Sequence, residues 1–76
     1  MNYEIEKRIG ENIKALRIKA KFSQETLSAK LQVEGCDLTR SAVAKIEVGQ
    51  RHLYPDEIIA IAKVLGASYN EIFDIK

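Results

Sequence analysis

Residues 38–51, LTRSAVAKIEVGQR, combine two long cations with several small side chains in a segment of helical spacing. Val43 and Ile46 lie three residues apart and are predicted, together with Leu38, to face a core. On the other side, guanidinium and ammonium groups can donate hydrogen bonds to guanine acceptors or phosphate oxygens, and small side chains allow close approach. The residues predicted on that outward face are Arg40, Ser41, Ala44 and Lys45.

The outward face meets the requirements of the DNA major groove. The groove is about 12 Å wide and admits one α-helix. Large apolar side chains would prevent close approach, whereas Ser41, Ala42 and Ala44 are small enough to permit it. The pattern therefore favours contacts with base edges or phosphates, and the alternative interpretation is an ordinary solvated helix face.

Hydrophobic periodicity predicts that this segment is the third of five helices. The first helix is expected over residues 4–20, because its apolar positions recur at steps of three and four residues. Ser23 is predicted to cap a second helix, QETLSAKL, since its hydroxyl can accept a hydrogen bond from the first turn. The next stretch, QVEGCDL (32–38), has no helical period and is predicted to be a loop.

Capping residues predict the ends of the other helices. Thr39 is expected to cap the third helix, 39–48, and Gly49 to end it, because glycine adopts left-handed backbone conformations at little steric cost. No segment alternates like a β-strand, so the predicted fold class is all-α. The cap residues predicted for the fourth and fifth helices are Pro55, Gly66, Ser68 and Glu71.

Composition predicts one globular domain over residues 1–76. The chain is 46% hydrophobic and 30% charged, which is typical of folded rather than disordered proteins. The net charge is only +1, yet residues 1–51 carry ten Lys or Arg against seven Asp or Glu, and residues 52–76 carry two against four. Positive charge is therefore concentrated in the part of the chain that contains the third helix.

Cysteine and histidine usage excludes several kinds of site. Cys36 and His52 are each the single residue of their type, so neither an internal disulfide nor a zinc site of four Cys or His side chains can form. We expect no metal, no other cofactor and no enzymatic activity, because the sequence has neither a nucleophile–base constellation nor a phosphate-binding loop. Apolar runs are too short for a membrane span and a signal-peptide pattern is missing, which predicts a cytoplasmic protein.

Three segments resemble the Cro and phage-repressor class of helix-turn-helix domains, the XRE family: FSQETLSAKL, TRSAVAKIEVGQR and PDEIIAIAKVLGASYNEIF. The resemblance covers residues 6–73. It implies a compact five-helix bundle similar to the lambda repressor domain, with the third helix in the major groove. It also implies double-stranded DNA as the partner and a homodimer that binds an inverted repeat.

The same resemblance assigns roles to individual residues. The positions that match base-contacting residues are Arg40, Ser41, Ala44 and Lys45. The positions that match phosphate-contacting residues are Gln24, Gln50 and Arg51. Arg17 and Glu47 match an ion pair that joins the first helix to the end of the third. Two features depart from the family: the connection at 32–38 is about five residues longer than the usual turn, and Val48 stands where Asn is usual.

The predicted function is a sequence-specific transcriptional regulator, and specifically a repressor. The alternative is a protein-interaction module of the same fold that binds an unidentified protein, as an antitoxin or co-activator does. Ile72, Phe73 and Ile75 are predicted to contribute to a dimer surface. The alternative is that a C-terminal Ile or Phe, Phe73 in particular, folds back onto the first helix as part of the core. The residues leave open whether this is a whole regulator or one domain of a longer chain.

Overall fold

The computed structural model describes residues 2–75, which form five α-helices and no β-strand. The helices are α1 (Tyr3–Lys19), α2 (Gln24–Val33), α3 (Arg40–Glu47), α4 (Pro55–Leu65) and α5 (Tyr69–Ile72). The predicted all-α fold is confirmed. Helices α1 and α3 agree with their expected bounds to within one residue at each end.

A single hydrophobic core lies between the helices. Ile13 on α1, Val43 and Ile46 on α3, and Leu38 just before α3 are buried, as predicted. Because both α1 and α2 pack against α3, the core supports α3 from one side and leaves its other side to solvent. The remaining buried apolar residues are Ile9, Leu27, Leu31, Leu53, Ile61, Ala62 and Ile72.

Gly49 ends α3, as predicted. Its φ is 77°, in the left-handed region that favours glycine. The Gly49 N–H donates to the Ile46 carbonyl at 3.1 Å and the Gln50 N–H donates to the Lys45 carbonyl at 2.8 Å, which is the hydrogen-bond pair of a Schellman motif. A Cβ at Gly49 would lie 2.8 Å from the Cα of Lys7, so the close approach of α1 also requires glycine here.

The predicted loop at 32–38 is wrong at its first two residues. Gln32 and Val33 form the last turn of α2, and the connection to α3 spans residues 34–39. The helix extends to Val33 because the residue that ends it in a left-handed conformation is Gly35. The Cys36 N–H then donates to the Leu31 carbonyl at 2.9 Å.

Lys21 ends α1 in the same way, although it is not a glycine. Its φ is 64°, and it is the one described non-glycine residue with a positive φ. The Phe22 N–H donates to the Arg17 carbonyl at 3.1 Å, and the Lys21 N–H donates to the Ile18 carbonyl at 2.9 Å. The turn therefore carries a steric cost that glycine would remove.

Gly10 sets the distance between α1 and α3. This buried residue faces the end of α3, where an added Cβ would collide with the carbonyl oxygen of Ile46 and lie 3.0 Å from the carbonyl carbon of Glu47. Since both neighbouring atoms belong to the backbone, any side chain at position 10 would push the two helices apart.

The C-terminal part is joined to α1. The predicted capping box of α5 is present, since the Glu71 N–H donates to Ser68 Oγ at 3.1 Å and the Ser68 N–H donates to Glu71 Oε1 at 2.9 Å. Asn12 Nδ2 donates to the carbonyls of Ile72 at 2.9 Å and Asp74 at 3.0 Å.

This arrangement changes the prediction for the apolar C-terminal residues. Ile72 is fully buried in the core, so assigning it to a dimer surface is wrong. Phe73 is 42% exposed and Ile75 is 47% exposed, so neither is a core residue. The alternative, in which a C-terminal Ile or Phe packs against α1 as part of the core, is correct for Ile72 and wrong for Phe73.

Candidate nucleic-acid interface

The outward face of α3 presents the side chains predicted to contact bases. Arg40, Ser41 and Lys45 are exposed, and Ala44 is partly exposed between them. Among the salt bridges of residues 2–75, none involves Arg40 or Lys45. Thr39 Oγ1 accepts a hydrogen bond from the Ala42 N–H at 3.1 Å and so caps the helix immediately before Arg40. This face therefore offers two cations and a hydroxyl to a ligand.

A buried ion pair fixes the other end of α3. Arg17 Nε donates to Glu47 Oε2 at 2.6 Å and Arg17 Nη2 donates to Glu47 Oε1 at 3.1 Å. Arg17 is 8% exposed and Glu47 is 3% exposed. Arg17 Nη1 also donates to the Phe22 carbonyl at 2.8 Å. The guanidinium thus joins α1, the turn that follows it and the end of α3.

Gln24, predicted to contact phosphate, joins the same network. Its Nε2 donates to Glu47 Oε1 at 3.0 Å, and the side chain is partly exposed at the start of α2. The carboxylate of Glu47 therefore receives three hydrogen bonds from two helices. This network sets the position of the α2 N-terminus relative to α3.

The connection between α2 and α3 is held by two α2 side chains. Ser28 Oγ donates to the Leu38 carbonyl at 2.7 Å, and Gln32 Nε2 donates to the same oxygen at 3.1 Å. Leu38 itself is buried. These contacts anchor the chain one residue before the Thr39 cap, and so they determine where α3 begins.

Arg51, predicted to contact phosphate, makes intramolecular contacts after α3. Its Nη1 donates to Glu57 Oε1 at 2.9 Å and its Nη2 donates to Glu57 Oε2 at 3.0 Å, a bidentate pair. Nη1 also donates to the His52 carbonyl at 2.9 Å. The hydrogen bond from Arg51 holds the pKa of Glu57 below its ordinary value and the same bond raises the pKa of Arg51.

The neighbours of Arg51 have different environments. Gln50, the third residue predicted to contact phosphate, is exposed. His52 Nδ1 lies 2.5 Å from Glu6 Oε1 on α1, and its ring packs edge-on against Tyr54 at 5.3 Å. The loop after α3 is therefore tied to α1 as well as to α4.

Cys36 shares the environment of the Arg51–Glu57 pair. Burial raises the pKa of its thiol, and the carboxylates of Glu57 and Asp56 raise it further, whereas Arg51 lowers it.

Residues 2–75 contain no cluster of three or more His, Cys, Asp or Glu arranged to hold a metal ion. Within the same residues, no helix has the length and apolarity required to cross a bilayer.

Comparison with known proteins identifies the family. A helix-turn-helix family model matches residues 13–72, which include α2, α3 and the ion pair beneath them. The chain belongs to the helix-turn-helix family, XRE type. Its family and fold are those of DNA-binding transcription regulators rather than of enzymes.

Two solved structures are similar to this helix-turn-helix domain. The crystal structure of the restriction-modification controller protein C.AhdI from Aeromonas hydrophila is 31% identical, with a TM-score of 0.82, and the match covers 93% of this chain and 96% of that one. The DNA-binding domain of BldD is 19% identical, with a TM-score of 0.81, and covers 96% of this chain and 99% of that one; it supports the fold alone. No curated protein sequence matches significantly.

Several residues that position this helix-turn-helix domain escape prediction from sequence. Gly10 stands inside a helical pattern, and such a glycine is a signal for close packing of the backbone. Asn12, Ser28 and Gln32 are ordinary polar residues on helices, and their acceptors are carbonyl groups whose positions follow only from the tertiary structure. Glu57 lies in the first turn of α4, where a carboxylate is favourable in any helix, so its spacing gives no sign of its pairing with Arg51.

Proposed function

We propose that the chain is a transcriptional repressor that binds an inverted repeat of double-stranded DNA as a homodimer. The helix predicted at 39–48, α3 with its caps, lies in the major groove in this proposal. The observation that carries it is the division of α3 into two faces. Val43, Ile46 and Glu47 are buried, whereas Arg40, Ser41 and Lys45 are exposed on a face without bulky apolar side chains.

The base contacts are assigned to Arg40, Ser41, Ala44 and Lys45. An Arg or Lys side chain can donate to the O6 and N7 acceptors of guanine, and the small side chain of Ala44 permits close approach. Gln24, at the start of α2, and Gln50, just after α3, are assigned to phosphates.

The proposed dimer uses the exposed apolar side chains of the C-terminal part. Phe73 follows α5 directly and its N–H donates to the Tyr69 carbonyl at 2.9 Å, so the two side chains lie on the same side of this helical turn. Ile59 and Tyr69 line one groove between α4 and α5. Ile59, Tyr69, Phe73 and Ile75 are all exposed. Pairing of this surface about a two-fold axis would separate two α3 helices by about 34 Å, one turn of DNA.

The similarity to a restriction-modification controller gives the proposal a specific form. At 31% identity over 93% of the chain, control of the genes of such a system is the biological role we propose to test first. We propose the cytoplasm as the location of the protein in this role.

Selection of bound sequences from random duplex DNA tests the proposal directly. We expect enrichment of a two-fold symmetric motif whose half-sites are about one helical turn apart. A variant with Arg40, Ser41 and Lys45 replaced by Ala serves as the control and should enrich no motif. Failure of the wild-type protein to enrich any sequence would overturn the DNA-binding role.

One observation favours the second candidate, a protein-interaction module. A groove between α1 and the end of α3 exposes the apolar side chains of Ile18 and Val48, and Val48 replaces the polar residue usual in the family. In this second candidate function, a protein partner would bind in this groove. Failure of DNA selection to enrich any sequence would favour this function over DNA binding. The residues that line it are Lys7, Glu11, Lys14, Ala15, Ile18, Glu47 and Val48.

A further inference from the structure

We infer that Arg51 is a positioning residue that acts through Glu57 and does not contact phosphate. The pair holds the loop between α3 and α4 in the conformation that binds DNA. This inference deepens the proposed function, on which it rests. It also departs from the assignment that the family resemblance gives to Arg51.

The hydrogen-bonding groups of Arg51 are largely used within the chain. Both terminal nitrogens donate to the Glu57 carboxylate, at 2.9 Å and 3.0 Å, and Nη1 donates to the His52 carbonyl as well. The Glu57 side chain is 13% exposed and the Arg51 side chain is 30% exposed. A phosphate contact would require Arg51 to leave this bidentate pair, and the carboxylate would remain largely buried without its counter-charge.

Glu57 closes the loop upon itself. Its Oε1 accepts from Arg51 and also from the Tyr54 N–H at 3.0 Å, so one carboxylate binds both ends of residues 51–54. Between these ends, Leu53 is buried in the core. The loop is therefore fixed at three points directly after Gln50, whose own N–H is held by the Lys45 carbonyl at 2.8 Å.

The inference and its alternative predict opposite effects of removing the Glu57 charge. If Arg51 positions the loop, Glu57→Gln weakens the pair and lowers DNA affinity. If Glu57 instead masks a phosphate-binding Arg51, Glu57→Gln releases the guanidinium and raises affinity. Asp56→Asn is the matched control, because it removes the same charge from the adjacent exposed residue of α4.

The experiment measures binding of wild-type and variant proteins to the selected operator at several salt concentrations. Arg51→Ala and Glu57→Gln should each weaken binding about tenfold, and the double variant should be no weaker than Arg51→Ala, because both changes break one unit. Asp56→Asn should stay within about twofold of wild type. Arg51→Lys should bind the operator no more tightly than Arg51→Ala, since an ammonium cannot form the bidentate pair.

The salt dependence separates positioning from contact. Loss of one phosphate contact lowers the slope of log K against log salt by about 0.9, so we expect an unchanged slope for Arg51→Ala. A slope reduced by that amount, or tighter binding by Glu57→Gln than by Asp56→Asn, would overturn the inference while leaving the proposed function intact. Failure of the wild-type protein to bind the operator would overturn both. Circular dichroism melts establish that each variant is folded.

Discussion

Arg40 is the residue at which base contact and phosphate contact can be distinguished most directly. It is exposed at the first position of α3, and no salt bridge of residues 2–75 involves it. Arg40→Ala should weaken operator binding by about 1–3 kcal/mol and relax the preference at one base position in each half-site. Fluorescence anisotropy on operator and scrambled duplexes measures both effects.

Two comparisons control for charge and position. Arg40→Lys keeps the charge and should still lose base preference, because Lys lacks the planar pair of donors that matches guanine. Gln50→Ala should weaken binding to both duplexes to a similar extent, as expected for a phosphate contact. Equal losses on both duplexes for Arg40→Ala would instead assign Arg40 to phosphate.

Arg17 belongs to the architecture of the domain. Arg17→Ala leaves the Glu47 carboxylate, 3% exposed, without its counter-charge, and should lower the free energy of unfolding by about 3–5 kcal/mol. Replacing both residues by apolar ones, Arg17→Met with Glu47→Leu, should cost less than Arg17→Ala alone. Urea unfolding of the single and double variants provides the comparison. Additive losses would show that the pair is not coupled.

Among the helices, the turn that follows α1 contains backbone strain that one substitution can relieve. Lys21 adopts a left-handed conformation with φ of 64°. Lys21→Gly should raise the free energy of unfolding by about 1 kcal/mol, because glycine avoids the clash between Cβ and the backbone. Lys21→Ala is the control, since it removes the same charge and keeps the strain. An equal gain in thermal stability for both variants would attribute the effect to charge.

The close approach of α1 and α3 depends on the absence of a Cβ at Gly10. Alanine is favoured over glycine within an exposed helix by up to about 1 kcal/mol. At Gly10 the added methyl group would meet the backbone of Ile46 and Glu47, so Gly10→Ala should instead destabilise the protein by about 1–3 kcal/mol. Thermal unfolding gives the sign. A raised Tm would mean that the two helices separate without cost.

At the scale of the whole molecule, a small domain gains stability and DNA affinity from pairing with a second copy. Ile75→Asp should weaken self-association and operator affinity without changing helical content, because it places a charge on the proposed dimer surface. Val33→Asp is the control: Val33 is 85% exposed on α2, outside that surface. Sedimentation velocity measures both variants. An unchanged monomer–dimer equilibrium for Ile75→Asp would exclude Ile75 from the interface.

The positions of the helices and most of their ends follow from local sequence patterns. Thr39, Gly49 and the Ser68–Glu71 box act on backbone groups within a few residues, so local chemistry is sufficient to predict them. The outward face of α3 was equally predictable, because helical periodicity fixes which side chains lie opposite Val43 and Ile46. The start of the α2–α3 connection was not, since Gln32 and Val33 continue the helix with exposed side chains that add nothing to its buried stripe.

Which polar and apolar residues have partners depends on contacts between segments that are distant in the chain. Asn12 binds the Ile72 carbonyl across 60 residues, and Glu6 meets His52 across 46, so no local pattern records either contact. Ile72 and Phe73 are adjacent apolar residues, yet the direction of α5 buries one and exposes the other. The partner of Arg51 depends on the path of the loop from α3 to α4, and that path is fixed by burial of Leu53 and by the Glu57 carboxylate rather than by any spacing in the sequence.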